Sequence, residues 1–383
     1  MENHEKVAHA YDFGRIGFSE EQGALSEVAA KFCADHSSIE KVRALMTSDH
    51  GYDQKCWEDL AALGWLGIAI SEDHDGAGLS LAEVVPVMEQ MGRRLMATPF
   101  VSTTLAGLAL QWADDSQSQK GWLPKISTGT IATIALMEAE GKWENTSLSA
   151  TIEKKGGSFE LTANVVHLPW GQQASLIIVP AMCNGEIVFA LVHADALSKA
   201  VQSQETSVDE TRRCVRFVAD KLTLSAEDVL TGAHLKDVLM RVHRASLLLS
   251  TAERTGACQA VIDYTLEYLK TRKQFGKTIG SYQALKHPMV DIYTGYEQAR
   301  SHLYGAAHCF SEQGKGEIAT RMACVAIDRV VTHAADRSIQ FHGGFGFTYD
   351  CDAQLYRRLA AWHSAVYGDG VFHRAQLGSL LLG

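Results

Sequence analysis

The pattern of apolar and polar positions changes twice along the chain, and each change marks a different kind of secondary structure. In the first part, Leu25, Val28 and Phe32 fall on one helical face of the segment SEEQGALSEVAAKFCADH, with Ser19 at the N-cap position. The segments CWEDLAALGWLGIAI and LAEVVPVMEQMGRRLM contain the next two helices. We therefore predict an N-terminal α-helical domain over residues 1–129.

Short segments rich in β-branched residues follow, and Gly, Asn and Asp separate them. That spacing predicts a central antiparallel β-domain over residues 130–232. The helical period then returns, with long helices expected to begin near Ala233, Tyr282, Glu317 and Asp352. Four long helices in succession are typical of an up-down bundle. The prediction is thus an α+β multidomain fold that ends in a four-helix bundle over residues 233–383.

The composition argues against several classes of protein. A formal net charge of -10 disfavours general nucleic-acid binding, and no apolar run approaches the ~20 residues that span a bilayer. The polar start, MENHEKVAHAYDFG, does not resemble a signal peptide. The eight cysteines stand singly, without metal-ligand spacing. We expect a cytoplasmic protein with reduced thiols, no metal site, no membrane span and no nucleic-acid partner.

A basic stretch in this acidic chain is the first candidate for chemistry. The segment KTRKQFGKTIGSYQ gathers four cations around Phe275 and Gly276 at the end of the first bundle helix. Cations are favoured at a helix C-terminus, so a solvated helix end is one interpretation. The planar fork of Arg272 beside an aromatic ring also suits a ligand that has a diphosphate and a flat ring.

A glycine cluster, QFHGGFGF, follows between Gln340 and Phe347. Glycines let backbone N–H groups approach a phosphate closely. The cluster ends a predicted helix instead of joining a strand to one, so it is not a Rossmann fingerprint. A helix C-cap followed by a turn is the alternative interpretation.

These motifs together resemble the acyl-CoA dehydrogenase family. The resemblance rests on TRKQFGKTIGSYQALKH, on QFHGGFGFTYDCDAQLYRR and on the N-terminal LAALGWLGIAISEDHDGAGLSLAEVVPVMEQMGR, and it covers essentially the whole chain. It implies an FAD enzyme that oxidises acyl-CoA thioesters to α,β-enoyl-CoA. It also implies an oligomer and an acceptor such as an electron-transfer flavoprotein.

The resemblance assigns six residues to FAD held mainly by a neighbouring subunit: Arg272, Phe275, Gln283, Gln340, Gly343 and Gly344. The first two would lie at the diphosphate and ring region. The third would lie on the adenosine side, and the last three at the AMP half.

The catalytic base is where the sequence departs from most relatives. The family's Tyr-Glu-Gly-Thr element reads AVYGDGVFHR here, so Gly368 stands where the Glu is expected. A second subgroup takes its Glu from the first bundle helix, at a position that aligns with Ser246. Glu253 lies two turns further along that helix, on roughly the same face. The resemblance therefore implies Glu253 as the base, with Asp369 as the runner-up.

A structural role remains open for Glu253, because it could instead pair with Arg254 or Arg244. The flavin-cradling elements of the β-domain are also altered. Thr-Glu-Pro-Gly-x-Gly-Ser-Asp reads LMEAEGKWEN, and the flavin-facing aromatic falls within VVHLPWGQQAS, near His167 and Trp170.

This pattern resembles the smaller subunit of heteromeric acyl-CoA dehydrogenases. Such enzymes are α2β2 tetramers that share FAD sites and act on bulky or unusual acyl-CoA such as steroid side chains. A homo-oligomer, a non-catalytic subunit that completes a partner's FAD site, and a flavin oxidase or monooxygenase on the same fold are the alternatives.

Overall fold

The fold follows the predicted order of helices, sheet and helices. The computed structural model describes residues 19–144, 148–312 and 315–383, so the expectation for the first fourteen residues lies outside it. Six helices come first: α1 Glu20–His36, α2 Ile39–Met46, α3 Gln54–Ala62, α4 Leu81–Arg93, α5 Phe100–Ala113 and α6 Ser116–Ser127. Ser19 caps α1 in a capping box with Gln22, while Asp53 and Asp115 cap α3 and α6. The predicted helical N-terminal part is confirmed.

The central region is a sheet, as predicted. Within the described residues, eight strands form it: β1 Ala132–Ile134, β2 Thr151–Lys155, β3 Ser158–Pro169, β4 Leu176–Cys183, β5 Glu186–His193, β6 Val201–Glu205, β7 Cys214–Leu224 and β8 Val229–Leu230. A short helix, α7 Ala194–Lys199, interrupts them. The strand order is β6-β7-β3-β2-β4-β5-β8, and most pairs are antiparallel. β1 and β2 differ, because each pairs in parallel with β4.

The last part of the chain is helical, as predicted. Its helices are α8 Leu235–Thr271, α9 Gln283–Cys309, α10 Lys315–Phe341, α11 Ala353–Tyr367 and α12 Gly370–Leu382. A two-stranded ribbon, β9 Lys273–Gln274 and β10 Lys277–Thr278, follows α8. The fourth predicted helix is divided into α11 and α12, because Gly368 takes a backbone φ of 93° that ends α11. None of the helices in the described ranges is long and apolar enough to cross a membrane.

The chain forms two compact units. One comprises residues 43–80 and 97–246 and holds the sheet. In it, β4 and β5 are buried along most of their length, and Thr103 of α5 donates its hydroxyl to the carbonyl of Ala132 at 3.2 Å. The other comprises, among the described residues, 19–42, 81–96, 247–312 and 315–383, and it is built mainly of helices. The three-domain division at residues 129 and 232 stays a prediction.

In the helical unit, α4 and α8 cross in backbone contact at two glycines. A Cβ built on Gly92 would stand 2.0 Å from the carbonyl oxygen of Glu253, and one built on Gly256 would stand 1.7 Å from that of Glu89. Any side chain larger than hydrogen would force the helices apart. The crossing therefore fixes the backbone of α8 at the turn that carries Glu253.

Candidate active site

The basic stretch forms a tight hairpin that displays Phe275. Phe275 and Gly276 have φ values of 52° and 78°, the pattern of a type I′ turn, and they join β9 to β10. The backbone N–H of Ile279 donates to the carbonyl of Arg272 at 2.8 Å and closes the hairpin. The Phe275 side chain is 90% exposed. A left-handed backbone at a non-glycine residue costs about 1–3 kcal/mol, and a type I′ turn requires it at this position.

The glycine cluster forms a turn with open space beside it. Helix α10 ends at Phe341, and Gly343 adopts a φ of 62°. A Cβ added at Gly343 or Gly344 would meet no atom within 4 Å. Gln340 is also exposed. The turn can therefore be approached closely by a ligand from outside the chain.

His342 supports this turn from the buried side. Its ring is buried between Tyr264 and Tyr268 of α8, with centroid distances of 4.7 and 4.2 Å, and its Nδ1 lies 2.8 Å from the carbonyl oxygen of Ser338. Burial lowers the pKa of His342. Sequence reasoning did not identify this support. Two tyrosines spaced four residues apart on α8 were the available signal.

The structure brings the six predicted cofactor residues to one end of the helical unit. Arg272 follows Tyr268 by one helical turn, and its backbone N–H donates to the Tyr268 carbonyl at 2.9 Å. Tyr268 in turn stacks on His342, which precedes the glycine turn. Gln283 begins α9 just beyond the hairpin. All six are exposed: Arg272, Phe275, Gln283, Gln340, Gly343 and Gly344.

Glu253 lies in the interior of the same unit, beside a histidine. Its carboxylate Oε2 stands 3.0 Å from Nε2 of His363, and the two side chains are 2% and 1% exposed. The neighbouring Arg254 points to α10, where its guanidinium donates to the Asp328 carboxylate at 3.2 Å and to Cys324 at 3.1 Å. The carboxyl of Glu253 therefore meets an imidazole, which sequence reasoning missed because 110 residues separate the two positions.

Aromatic rings surround His363. The ring of Tyr367, one turn along α11, stacks on it with centroids 5.4 Å apart, and Trp362 meets it edge-on at 5.0 Å. These contacts fix the plane of the imidazole. The result is a buried acid and imidazole pair within an apolar, aromatic wall.

The other candidate positions have different roles. Asp369 caps α12, because its carboxylate accepts the backbone N–H groups of Val371 and Phe372 at 3.0 and 2.8 Å. Ser246 donates its hydroxyl to the carbonyl of His243 at 2.7 Å. A Cβ added at Gly368 would stand 2.8 Å from the ring of His373. The position where relatives are expected to carry Glu is therefore closed to a side chain.

Buried polar contacts hold the corner at Gly368. His373 receives Arg321 at Nδ1, 3.1 Å away, and its Nε2 lies 2.9 Å from the carbonyl oxygen of Tyr367. Because a guanidinium only donates and a carbonyl only accepts, the ring is the neutral tautomer with the proton on Nε2. Asp328 accepts the Ser364 hydroxyl at 2.7 Å and the backbone N–H of Gly370 at 3.1 Å.

The altered motifs of the β-domain are tied into the sheet unit. Glu138 accepts backbone N–H groups of Ser149 and Ala150 at 2.7–2.9 Å. Trp170 is buried and meets Tyr52 edge-on at 5.6 Å. His167 has a φ of 50° and its Nδ1 lies 3.3 Å from the Glu205 carboxylate. The indole of Trp170 thus packs in the core of its own unit.

Comparison with known proteins gives a consistent result. Residues 19–130 match the family model described as acyl-CoA dehydrogenase, N-terminal domain, and residues 239–378 match the model of the C-terminal domain. Acyl-CoA dehydrogenase IpdE2 of Mycolicibacterium smegmatis is 30% identical over 356 residues, which cover 91% of this chain and 95% of that protein.

Solved structures share the fold over nearly the whole chain. The ChsE4-ChsE5 complex from Mycobacterium tuberculosis contains a chain with a TM-score of 0.87 and 23% identity, covering 96% of this chain and 99% of that one. A variant of the Tcur3481-Tcur3483 steroid ACAD has a TM-score of 0.84 and 26% identity, covering 95% and 98%.

Proposed function

Because this chain belongs to the acyl-CoA dehydrogenase family, we propose that it takes part in the oxidation of an acyl-CoA thioester to its α,β-enoyl-CoA, with Glu253 as the base. Enzymes of this family are oxidoreductases that bind FAD. The observation that carries the proposal is the buried Glu253 carboxylate, held 3.0 Å from His363 in the unit that also displays the expected FAD contacts.

The reaction removes one hydrogen as a proton and the other as a hydride. FAD, when bound, supplies the acceptor for the hydride. Glu253 would take the proton from the α-carbon, which requires an ionised carboxylate in a fixed direction. The Glu253 side chain is 2% exposed, so bulk water has little access to its carboxylate. The chain's own contribution is thus a preorganised, water-excluded base.

The chemical groups at the exposed end of the helical unit are suited to binding FAD. Arg272 can present parallel N–H donors to diphosphate oxygens, and the open backbone at Gly343 and Gly344 can approach a phosphate or ribose. Phe275 offers a flat apolar face. Since these groups point outward from their own chain, we propose that a neighbouring subunit completes the cofactor site.

A second acyl-CoA dehydrogenase subunit is the proposed neighbour, in a heterotetramer. The ChsE4-ChsE5 complex and the Tcur3481-Tcur3483 steroid ACAD are each named as pairs of unlike chains, which supports this reading. The inward packing of Glu138 and Trp170 supports it further, because both replace elements that cradle flavin in the family. A homo-oligomer is the alternative. An electron-transfer flavoprotein is the proposed electron acceptor.

A bulky acyl group, such as a steroid side chain, is the proposed substrate class. The support is the similarity to a protein described as a steroid ACAD. We also propose a cytoplasmic location, because all eight cysteines are free thiols.

The proposal is tested by co-expressing the chain with candidate partner subunits and measuring the FAD-to-chain ratio. One FAD per two unlike chains is expected, together with acyl-CoA-dependent reduction of an electron-transfer flavoprotein. Glu253→Gln should abolish turnover and retain FAD, whereas the matched change Asp369→Asn should retain most activity. A complex that holds FAD and turns over equally well with Gln at position 253 would overturn the assignment of the base.

A scaffold role is the second candidate, and one observation favours it. Gly368 leaves no room for the family's usual Glu, and Glu253 is itself only 2% exposed. In this case the chain only completes a partner's FAD site. Unchanged turnover in Glu253→Gln, combined with loss of FAD in Arg272→Ala, would support it.

A further inference from the structure

We propose that His342 is a positioning residue for the cofactor: its buried ring ties the glycine turn at Gly343 and Gly344 to the last turns of α8, which lead into Arg272. The separation between the arginine and the turn then depends on this side chain. This inference rests on the proposed FAD site and deepens it, because it names the residue that connects the diphosphate contact to the AMP contact.

The ring of His342 is enclosed on both faces. It is 3% exposed and lies nearly parallel to the rings of Tyr264 and Tyr268, at 15° and 26°, with centroids 4.7 and 4.2 Å away. Stacked aromatic pairs attract beyond the area that they bury, so both tyrosines contribute to its placement. Nδ1 lies 2.8 Å from the Ser338 carbonyl oxygen, and because a carbonyl only accepts, Nδ1 carries the proton. The ring is therefore held between the tyrosines and also against rotation in its own plane.

Further contacts hold the end of α10 that carries the turn. Thr265 of α8 places its Oγ1 2.7 Å from Oγ of Ser338, and the two residues are 1% and 0% exposed. After the turn, the chain folds back on α10, where a Cβ built on Gly346 would stand 2.0 Å from the carbonyl oxygen of Ile339. The inner side of the glycine turn is therefore fixed to α8 and to the end of α10.

The basic stretch is fixed to the same turns of α8. The backbone N–H of Arg272 donates to the Tyr268 carbonyl at 2.9 Å, so the tyrosine that stacks on His342 also holds the backbone of the arginine. A Cβ built on Gly280, just beyond the hairpin, would stand 2.7 Å from the carbonyl oxygen of Leu269. The exit of the hairpin is thus in backbone contact with α8. Both predicted cofactor contacts are built on residues 264–269 of this helix.

A fixed separation matters because FAD is longer than either contact. Under the proposed function, Arg272 binds the diphosphate and the glycine turn binds the AMP half. When two contacts are held at the right separation, binding at one brings the other into place, and less ordering is needed on binding. The outer side of the turn cannot set that separation, because a Cβ at Gly343 or Gly344 meets no atom within 4 Å. We infer that the stacked histidine sets it from the inner side.

The test compares two replacements in the co-expressed complex after its FAD has been removed and titrated back. His342→Phe keeps an aromatic ring between the tyrosines, whereas His342→Leu keeps a bulky apolar side chain without aromatic faces. Both lose the Nδ1 donor, and both keep the backbone N–H of position 342, which donates to the Ser338 carbonyl at 3.1 Å. We expect the Kd of FAD to stay within about threefold in His342→Phe and to rise about tenfold, or about 1.4 kcal/mol, in His342→Leu.

Coupling to Arg272 supplies the readout that a purely structural role would not move. In the wild-type background, Arg272→Ala should weaken FAD binding about tenfold or more. In the His342→Leu background the same change should weaken it less than about threefold, because contacts without a fixed separation no longer act together. A general loss of stability would leave the two effects independent, so that their fold-changes multiply. Ile327→Val, which removes one buried methyl group from the middle of α10, is the control and should leave FAD affinity unchanged.

A second pair of variants decides the matter if His342→Leu prevents assembly of the complex. Tyr268→Phe and Tyr268→Leu make the same comparison from the other side of the stack, with the same expected difference in the Kd of FAD. Equal FAD affinities in the Phe and Leu variants, either unchanged or equally weakened, would overturn the inference. Effects that multiply with Arg272→Ala would overturn it as well.

The outcomes separate this inference from the proposed function. A wild-type complex that binds no FAD would overturn the proposed cofactor site and the inference together. A complex that binds FAD but oxidises no acyl-CoA would overturn only the proposed activity, and the FAD titrations would still decide the role of His342.

Discussion

Gly256 of α8 lies in direct backbone contact with Glu89 of α4, where an added Cβ would stand 1.7 Å from the Glu89 carbonyl oxygen. The contact occurs one turn away from Glu253. The closeness of the two helices therefore depends on the absence of a single methyl group.

Gly256→Ala should destabilise the protein by about 1–3 kcal/mol or prevent its folding, since overpacking a fixed crossing displaces backbone. Gly305→Ala is the matched control, because it is helical and a Cβ there meets nothing within 4 Å. That change should be neutral or stabilising. Chemical denaturation of both variants measures the difference, and equal stabilities would show that the crossing can relax.

The side chain of Glu89 should also contribute to the stability of the protein. Its carboxylate accepts Nε of Arg300 at 2.6 Å and the hydroxyl of Tyr304 at 2.5 Å, and it is 1% exposed. Glu89→Ala removes the buried carboxylate that pairs with Arg300, which should cost about 3 kcal/mol in the free energy of unfolding. Glu267→Ala, an exposed acid on α8, should change it by less than about 0.5 kcal/mol. If Glu89→Ala lowered the free energy of unfolding only slightly, the contacts of Glu89 with Arg300 and Tyr304 would not contribute as proposed.

Stability should fall when the pH drops below the ordinary histidine range. Burial lowers the pKa of His342, so the unfolded chain binds this proton more readily than the folded chain does. The free energy of unfolding then decreases as the pH falls from about 6.5 toward the lowered value. His302, whose pKa burial also lowers, acts in the same direction.

His342→Phe keeps an aromatic ring between Tyr264 and Tyr268 but cannot titrate. Between pH 7.5 and pH 5.5, the free energy of unfolding measured by denaturation should decrease less for this variant than for the wild type. An identical loss would mean that His342 does not contribute to the acid sensitivity.

Arg272→Ala should weaken FAD binding in the assembled complex by about tenfold or more, since hydrogen bonds to charged groups contribute about 1.5–3 kcal/mol. The fold should be unaffected, because the side chain is exposed. Lys270→Ala, in the same basic stretch, is the control and should have a smaller effect. Flavin retention after gel filtration measures both, and equal retention would identify the stretch as a solvated helix end.

Gly368→Glu should not restore a base in a Glu253→Gln background. The backbone φ of 93° disfavours any side chain, and the first carbon would collide with His373. We expect a lowered melting temperature without recovered turnover. Recovered dehydrogenation would show that the corner opens more readily than its contacts indicate. Gly378→Glu, at an open position of α12, serves as the stability control.

The local features of this fold were predictable from the sequence. The capping box at Ser19, the strands rich in β-branched residues and the long C-terminal helices depend on nearby residues, and the structure has them. The parallel pairing of β1 with β4 was not predictable, because the paired residues are 44 positions apart in the sequence. Strand pairing of that kind is decided by packing and not by local preference.

In the candidate site, too, local motifs could be predicted from the sequence and contacts between distant segments could not. The glycine turn is a continuous motif, and a helix C-cap followed by a turn was one of its interpretations. The hairpin at Phe275 and Gly276 is equally local, but the sequence analysis placed the basic stretch at a helix end. The pairing of Glu253 with His363 joins two helices distant in sequence, and nothing near either residue indicates it. Asp369 did carry a local signal, since an Asp before a helical segment is a preferred N-cap.

Helix α8 has a consequence for the assembled enzyme. It is one uninterrupted helix of 37 residues; Glu253 lies on it and Arg272 directly follows its last residue, about 28 Å away at 1.5 Å per residue. Under the proposed roles, Glu253 acts in one catalytic centre while Arg272 binds the FAD of another. Each chain then contributes residues to two catalytic centres, so loss of one chain impairs both.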